Sequence, residues 1–345
     1  MIELGLERNR QGKYILDSCE DQGFSQSFCS KGVSLSFWIA SKDGKRYIIK
    51  SDGSGSKYYK FSIYGELLFS YIAKMNNIPS ANIDIGSLNN IDYIISEDVC
   101  EQDAEVLSLE NLFKSVDRFN YSVEGVSIAA NLFSKRFGIE LEDDLKFKLY
   151  KYALIDFLCW QNDRHDDNLI FQIVEKDGKK YLKLGGLFDN ESVFMFDVIR
   201  KYLTTSQHFR REYQVNSQLE DLILLQIEDK LSSNWPAFGT NFDVRMMEMR
   251  DNDILTKKRD IDLGKKIRER MAKSFAKEMQ RNPKLKQFYE NLDLDLFKAS
   301  DQIVNDINCY IPREYLEYAE ELICERKNMI DECLLEEGQQ MEEIK

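Results

Sequence analysis

A run of fifteen mostly apolar residues, 147–161, leads directly into a short stretch crowded with ionisable side chains. Residues 163–168 read Asp-Arg-His-Asp-Asp-Asn, so three carboxylates, an imidazole and an amide fall within six positions. The apolar run is typical of a buried helix. The sequence therefore predicts a polar loop that is held at the end of a rigid, buried base.

The residues after this loop predict a β-hairpin followed by one more acidic position. Residues 169–174 alternate in apolar character, residues 181–184 continue the pattern, and Asp177-Gly178 between them is typical of a hairpin turn. Beyond the hairpin the chain reads Gly-Gly-Leu-Phe-Asp-Asn over 185–190. Helix, acidic loop, hairpin and then an aspartate is the order in which kinase-fold phosphotransferases present their chemistry.

In that order, three of these acidic and amide positions have expected roles. Asp163 would orient the hydroxyl nucleophile, and Asn168 and Asp189 would bind the metal that bridges the phosphates. The alternative is a solvated acidic loop or a calcium loop. A calcium-binding helical loop needs a glycine at its sixth position and a distal glutamate, and both are missing here.

A lysine and a glutamate in the N-terminal part extend the same interpretation. Residues 47–50, Tyr-Ile-Ile-Lys, predict a strand that ends in Lys50, and Glu66 opens a predicted helix but lies off its apolar stripe. In kinase-fold enzymes such a lysine contacts phosphates and pairs with a glutamate on the next helix. A solvent-exposed surface pair is the alternative for these two residues.

Two further segments are candidates for nucleotide binding. The polar stretch 23–32, which includes Ser25, Gln26 and Ser27, is expected to be a flexible loop between strands that brings backbone amides to phosphate oxygens. Residues 81–86 and 91–95 predict two more strands, and Glu97, Asp98 and Val99 follow them. Their position suits a hinge at which backbone groups recognise adenine and Asp98 contacts the ribose.

From about Gln102 onward the pattern is helical apart from the hairpin. Helices are predicted at 107–116, 126–137, 145–160, 218–231, 264–280, 285–292 and 315–337. Residues 191–213, with His208, Arg210 and Arg211, form either a substrate groove or a solvated connection. The expected fold is α+β, a bilobal protein-kinase-like fold with a small β-rich N-lobe, 1–99, and a larger, mostly helical C-lobe, 100–345.

Composition excludes several classes of function. The net charge of −13 disfavours bulk nucleic-acid binding and anionic membranes. Two histidines exclude a multi-histidine metal site, and neither lies near a Gly-x-Ser-x-Gly elbow. Seven cysteines without CxxC pairs favour a reducing compartment. With neither a signal-peptide pattern nor eighteen consecutive apolar residues, we expect a soluble cytoplasmic protein. Secretion as an effector by a specialised system stays open.

On five residues in this order, Lys50, Glu66, Asp163, Asn168 and Asp189, the chain resembles the HipA-like serine/threonine kinases. The likeness is greatest to compact, stand-alone CtkA-type members and covers most of the chain. It implies a bilobal kinase fold, Mg-ATP (ATP with Mg²⁺) as cofactor, phosphoryl transfer to a serine or threonine of a protein substrate, and autophosphorylation.

The resemblance also implies roles for individual residues. Asp163 would be the catalytic base, His165 a neighbour of the nucleotide, Asn168 and Asp189 metal ligands, and Lys50 the phosphate-binding lysine. The Asp-Arg-His-x-x-Asn string is similar to phosphoinositide kinases as well. A phosphoinositide or small-molecule kinase, and a non-catalytic nucleotide-binding module, are therefore the two alternatives.

Overall fold

The computed structural model describes residues 2, 4, 6–17, 25–28, 36–41, 44–50, 59–89, 91–161, 164, 167–190, 193–194 and 257–343. Within these ranges the strands are β1 Tyr14–Ile15, β2 Ser25–Phe28, β3 Ser36–Ala40, β4 Arg46–Lys50, β5 Ile83–Leu88, β6 Ile91–Glu97, β7 Glu105–Ser108, β8 Glu140–Leu141, β9 Ile170–Lys176 and β10 Lys179–Leu184. The helices are α1 Tyr59–Met75, α2 Leu109–Val116, α3 Val123–Phe137, α4 Leu145–Leu158, α5 Lys257–Arg281, α6 Pro283–Glu290, α7 Leu296–Ile307 and α8 Arg313–Glu343.

The N-terminal part is built on a six-stranded sheet with the order β1-β5-β6-β4-β3-β2. Alternation along its strands gives the sheet two apolar faces. Ile49 and Ile95 join a cluster with the N-terminal residues Ile2 and Leu4, whereas Ile94 belongs to the large core that contains α1. Both faces are therefore covered, one by the N-terminal segment and the other by α1.

Helix α1 connects this sheet to the helical part of the chain. Tyr71 Oη donates to Asp306 Oδ2 at 2.8 Å, while Asn76 and the backbone of Asp293 exchange two hydrogen bonds of 2.7 and 2.8 Å. These contacts fix α1 against α7 and the loop before it. The helix begins at Tyr59, so the prediction that Glu66 opens it is wrong, and Glu66 lies in its middle.

A second sheet, with the order β7-β9-β10-β8, interrupts the helices. The hairpin of β9 and β10 is confirmed, and its turn residues Asp177 and Gly178 have φ angles of 55° and 73°, as a type I′ turn requires. Two shorter strands, β7 and β8, were not predicted. The predicted helix 107–116 instead begins at Leu109, because residues 105–108 pair with β9 as β7.

The fold class is confirmed, with a β-rich N-terminal part followed by a mostly helical part. Helix α4 is buried along most of its length, as the apolar run predicted. Helices α5, α6 and α8 correspond to three of the predicted helices, α7 was not predicted, and residues 218–231 lie outside the described residues. The division at residues 99 and 100 stays a prediction. Over the described residues, no helix combines the length and the apolar character that crossing a membrane requires.

Candidate active site

The candidate site centres on an ion pair between Lys50 and Asp189, which lie 139 positions apart in the chain. Lys50 is the last residue of β4, and Asp189 follows β10. Lys50 Nζ lies 2.5 Å from Asp189 Oδ1, and the two side chains are 10% and 29% exposed. The pair is therefore partly accessible, and the structure brings together two residues that the sequence predicted for one site.

Two backbone hydrogen bonds of Leu187 hold the segment that carries Asp189. Leu187 N–H donates to Pro79 O at 2.9 Å, and Leu187 O accepts from Ala81 N–H at 2.7 Å. A Cβ at Gly186 would lie 3.2 Å from Val99 Cβ, so a side chain here would require Val99 to shift. Asp189 itself has a φ of 56°, a left-handed conformation that aspartate tolerates better than most residues.

A fully buried arginine in the acidic loop makes hydrogen bonds to several segments around the site. The Arg164 guanidinium donates from Nε and Nη2 to the two oxygens of Asp156, at 3.0 Å each. Its Nη1 donates to Phe188 O at 2.6 Å and to Asn168 O at 3.3 Å, and Nη2 also donates to Asn190 Oδ1 at 2.5 Å. Both Arg164 and Asp156 have fully buried side chains. Neither residue was assigned a role from the sequence.

The charges around Arg164 keep it protonated. Burial lowers the pKa of this guanidinium, but the attraction and hydrogen bonds of Asp156, followed by Asp189 and Glu66, raise it by more, so the net pKa is raised. Burial raises the pKa of the Asp156 carboxyl, and Arg164 opposes that shift. A buried charge pair of this kind is stable only when its geometry and hydrogen bonds are nearly complete.

Glu66 is buried in the core side of α1, with no exposed surface. The alternative of a solvent-exposed surface pair is therefore wrong for Glu66. Its carboxylate lies close enough to Arg164 to raise the pKa of that residue, which places it near the site. A direct pair between Glu66 and Lys50 stays a prediction.

The predicted hinge residues connect the two sheets. Gln172 of β9 donates from Nε2 to Val99 O at 3.0 Å and accepts from Glu101 N–H at 2.7 Å. The Asp98 carboxylate accepts from Cys100 N–H at 2.9 Å and pairs with Arg46, so it already has protein partners. Contacts of Glu97, Asp98 and Val99 with adenine or ribose stay predictions.

The predicted phosphate loop is partly a strand. Ser25, Gln26 and Ser27 belong to β2 and pair with Ala40, Ile39 and Trp38 of β3, so the prediction of a loop at these three residues is wrong. The pairs Phe28↔Phe37 and Ser36↔Lys50 place the end of β2 and the start of β3 at the Lys50 end of the sheet. Ser25 lies about 10 Å from Phe28 along β2, at the opposite end of that strand.

Two of the predicted catalytic-loop residues, Asp163 and His165, lie outside the described residues, as do His208, Arg210 and Arg211. Asn168 is described and buried, and its backbone carbonyl accepts a hydrogen bond from Arg164. The donor set of Asn168 and Asp189 consists of amide and carboxylate oxygens, which fits Mg²⁺. This ion is commonly held by one or two such ligands together with substrate phosphates.

Comparison with solved structures returns two proteins named as kinases and one HipA protein. A Helicobacter pylori proinflammatory kinase, CtkA, is 13% identical, with a TM-score of 0.48 over 90% of this chain and 93% of that one. HipA of Shewanella oneidensis MR-1, solved with HipB and its operator DNA, is 12% identical over 87% of this chain and 67% of that one, with a TM-score of 0.30. The amicoumacin kinase hAmiN, in complex with AMP-PNP, Ca²⁺ and Ami, is 10% identical over 88% of each chain, with a TM-score of 0.22.

Two of these three neighbours, CtkA and HipA, bear the names of the family that the sequence resembles. No protein-family model matches the chain, and no curated protein matches its sequence. With identities of 10–13% and TM-scores below 0.5, none of the three neighbours carries an argument about activity. The case for a function therefore rests on the residues of this chain.

Proposed function

We propose that the chain is an ATP-dependent phosphotransferase, and most specifically a HipA-like protein serine/threonine kinase that uses Mg-ATP. The observation that carries the proposal is the ion pair between Lys50 and Asp189. A lysine at the end of a strand that faces an aspartate beyond a hairpin is the arrangement of the kinase fold. There the lysine contacts phosphates and the aspartate holds the metal.

In the free protein, Lys50 and Asp189 neutralise each other. With nucleotide bound, Lys50 would contact phosphate oxygens, and Asp189 and Asn168 would ligate the cation. Bound magnesium would offset the negative charge of the phosphates. Asp163 would orient the acceptor hydroxyl, and His165 would lie beside the nucleotide.

The strand register pairs Ser25, Gln26 and Ser27 of β2 with β3, and it puts Phe28 and Ser36 at the Lys50 end of the sheet. Residues 29–35 lie outside the described residues. In this proposal the phosphate contacts come from the stretch 23–32, in which glycine allows close approach of a backbone to phosphate.

The same register supports one nucleotide that spans the hinge and the ion pair. Lys50 pairs with Ile94, three residues before Glu97, so the hinge begins about 10 Å from Lys50 along β6. In this proposal the lobes are 1–99 and 100–345. The acceptor is a protein serine or threonine, since the net charge of −13 disfavours an anionic lipid surface.

The proposal is tested by intact-mass measurement after incubation with ATP and magnesium, with Asp189→Asn as the matched control. We expect the wild-type protein to gain the mass of at least one phosphate and the Asp189→Asn variant to gain none. Labelling of phosphoinositide vesicles without labelling of protein would establish the lipid-kinase alternative instead. Nucleotide binding without any turnover of ATP would establish a binding module.

A further inference from the structure

The buried guanidinium of Arg164 uses all five of its N–H groups. Nε donates to one Asp156 oxygen, and Nη2 donates to the other and to Asn190 Oδ1. Nη1 donates to the backbone carbonyls of Phe188 and Asn168. The acceptors come from three separate segments, which are helix α4, the acidic loop and the segment after β10. A planar fork with five donors is particular to arginine, and lysine cannot reproduce it.

Three of the five contacts bear directly on the two candidate metal ligands. Arg164 binds the carbonyl of Asn168 itself, and it binds the residue on each side of Asp189. The carbonyl of Asp189 also accepts from Gln161 Nε2 at 3.0 Å. One rigid group therefore fixes the relative positions of both candidate ligands, although its own side chain is fully buried.

We propose that Arg164 is a positioning residue that sets the geometry of the divalent-cation site and, through that geometry, its preference for Mg²⁺ over larger cations. The inference rests on the proposed function, because Asn168 and Asp189 are ligands only in that reading. Mg²⁺ demands near-ideal octahedral geometry, whereas Ca²⁺ accepts flexible coordination. A site whose ligands are loosened should therefore lose affinity for Mg²⁺ more than for Ca²⁺.

If the buried ion pair of Arg164 and Asp156 only stabilises the fold, a different result is expected. Loss of Arg164 would then lower stability, and the affinities for the two cations would fall by the same factor or remain unchanged. The ratio of the two affinities separates the two roles, because partial unfolding cannot change it.

The test compares Arg164→Lys with Arg8→Lys, a matched control in the N-terminal part of the chain. Arg8 makes hydrogen bonds of 2.8 and 3.3 Å to both oxygens of Asp84, whose side chain is fully buried, so the control also disturbs an ion pair with a buried acid. Binding of a non-hydrolysable ATP analogue is measured by calorimetry as a function of Mg²⁺ and, separately, of Ca²⁺. Unfolding is measured on the same samples.

We expect Arg164→Lys to weaken Mg²⁺-dependent binding by about 10- to 100-fold, the usual effect of removing a residue that orients metal ligands. Ca²⁺-dependent binding should fall by a clearly smaller factor, and Arg8→Lys should leave both cations as in the wild type. If Arg164→Lys does not fold, Asn190→Ala removes one of the five contacts and should shift the ratio in the same direction by less.

Two results would overturn the inference while leaving the proposed function intact. One is an unchanged Mg²⁺ to Ca²⁺ ratio in whichever of these two variants folds, and the other is an equal change in Arg8→Lys. If the wild-type protein binds the analogue without any dependence on a divalent cation, both the inference and the proposed function fail.

Discussion

Replacing Asp156 with alanine should destabilise the protein by about 3–5 kcal/mol, the usual cost of removing one partner of a buried ion pair. The Asp156 carboxylate is fully buried and accepts two of the five N–H groups of Arg164, at 3.0 Å each. Two hydrogen bonds to a charged group, at roughly 1.5–3 kcal/mol each, give a similar total. The loss is large because the guanidinium left behind cannot reach water.

The assay is urea unfolding of Asp156→Ala beside Asp84→Ala, in the absence of nucleotide and metal. Asp84 is also fully buried, but its partner Arg8 is 25% exposed, so solvent can partly compensate the charge left behind. We therefore expect a smaller loss of stability for Asp84→Ala. The reasoning is refuted if Asp156→Ala lies within about 1 kcal/mol of the wild type, or if Asp84→Ala is the less stable variant, given the 3–5 kcal/mol expected for a buried pair.

Three further predictions concern the rest of the molecule. Asn76→Ala should cost roughly 2–4 kcal/mol, because both backbone groups of Asp293 lose their partner, and thermal melting measures this loss. Autophosphorylation is expected on Ser25, Ser27, Ser30 or a serine within 51–56, and the added charge should weaken ATP binding; peptide mapping that places every phosphate within 100–345 would contradict it. Asp163→Ala should lose turnover but keep Mg-ATP binding, as calorimetry and a transfer assay can establish.

The elements that the sequence predicted well are those specified by neighbouring residues. The β9–β10 hairpin follows from two apolar stretches around Asp177-Gly178, whose left-handed φ angles are a local property of the turn. Helix α4 follows from its apolar run. The second sheet was missed in part because β7 and β8 are short strands, four and two residues long, that exist only through pairing with β9 and β10.

The environment of Glu66 depends on contacts that the sequence does not reveal. The residue lies off the main apolar stripe of α1, which left a solvent-exposed pair open as the alternative. Helix α1 is covered by the sheet on one side and by α7 on another, since Tyr71 and Asn76 reach residues 235 and 217 positions away. A helix with neighbours on two sides buries positions outside a single stripe.

The sequence predicted the candidate ligands of the site but not the buried residues that hold them in place. Lys50 and Asp189 were predicted because Lys50 ends a predicted strand and Asp189 follows the predicted hairpin, which is the order of the kinase fold. Asp156 looked like an ordinary interruption of an apolar helix, and Arg164 like one more charge in a polar loop. An acid inside a mostly apolar run was the available signal, because such a residue is rarely buried without a cationic partner.

The most direct test of the central claim, that Lys50 and Asp189 belong to one Mg-ATP site, is calorimetric titration of ATP with and without magnesium. The wild type, Lys50→Met and Asp189→Ala are compared, each first checked for folding by thermal melting. We expect magnesium to tighten ATP binding to the wild type, Asp189→Ala to lose most of that dependence, and Lys50→Met to bind ATP weakly in both conditions. An Asp189→Ala variant that keeps the full magnesium dependence of the wild type would contradict the account.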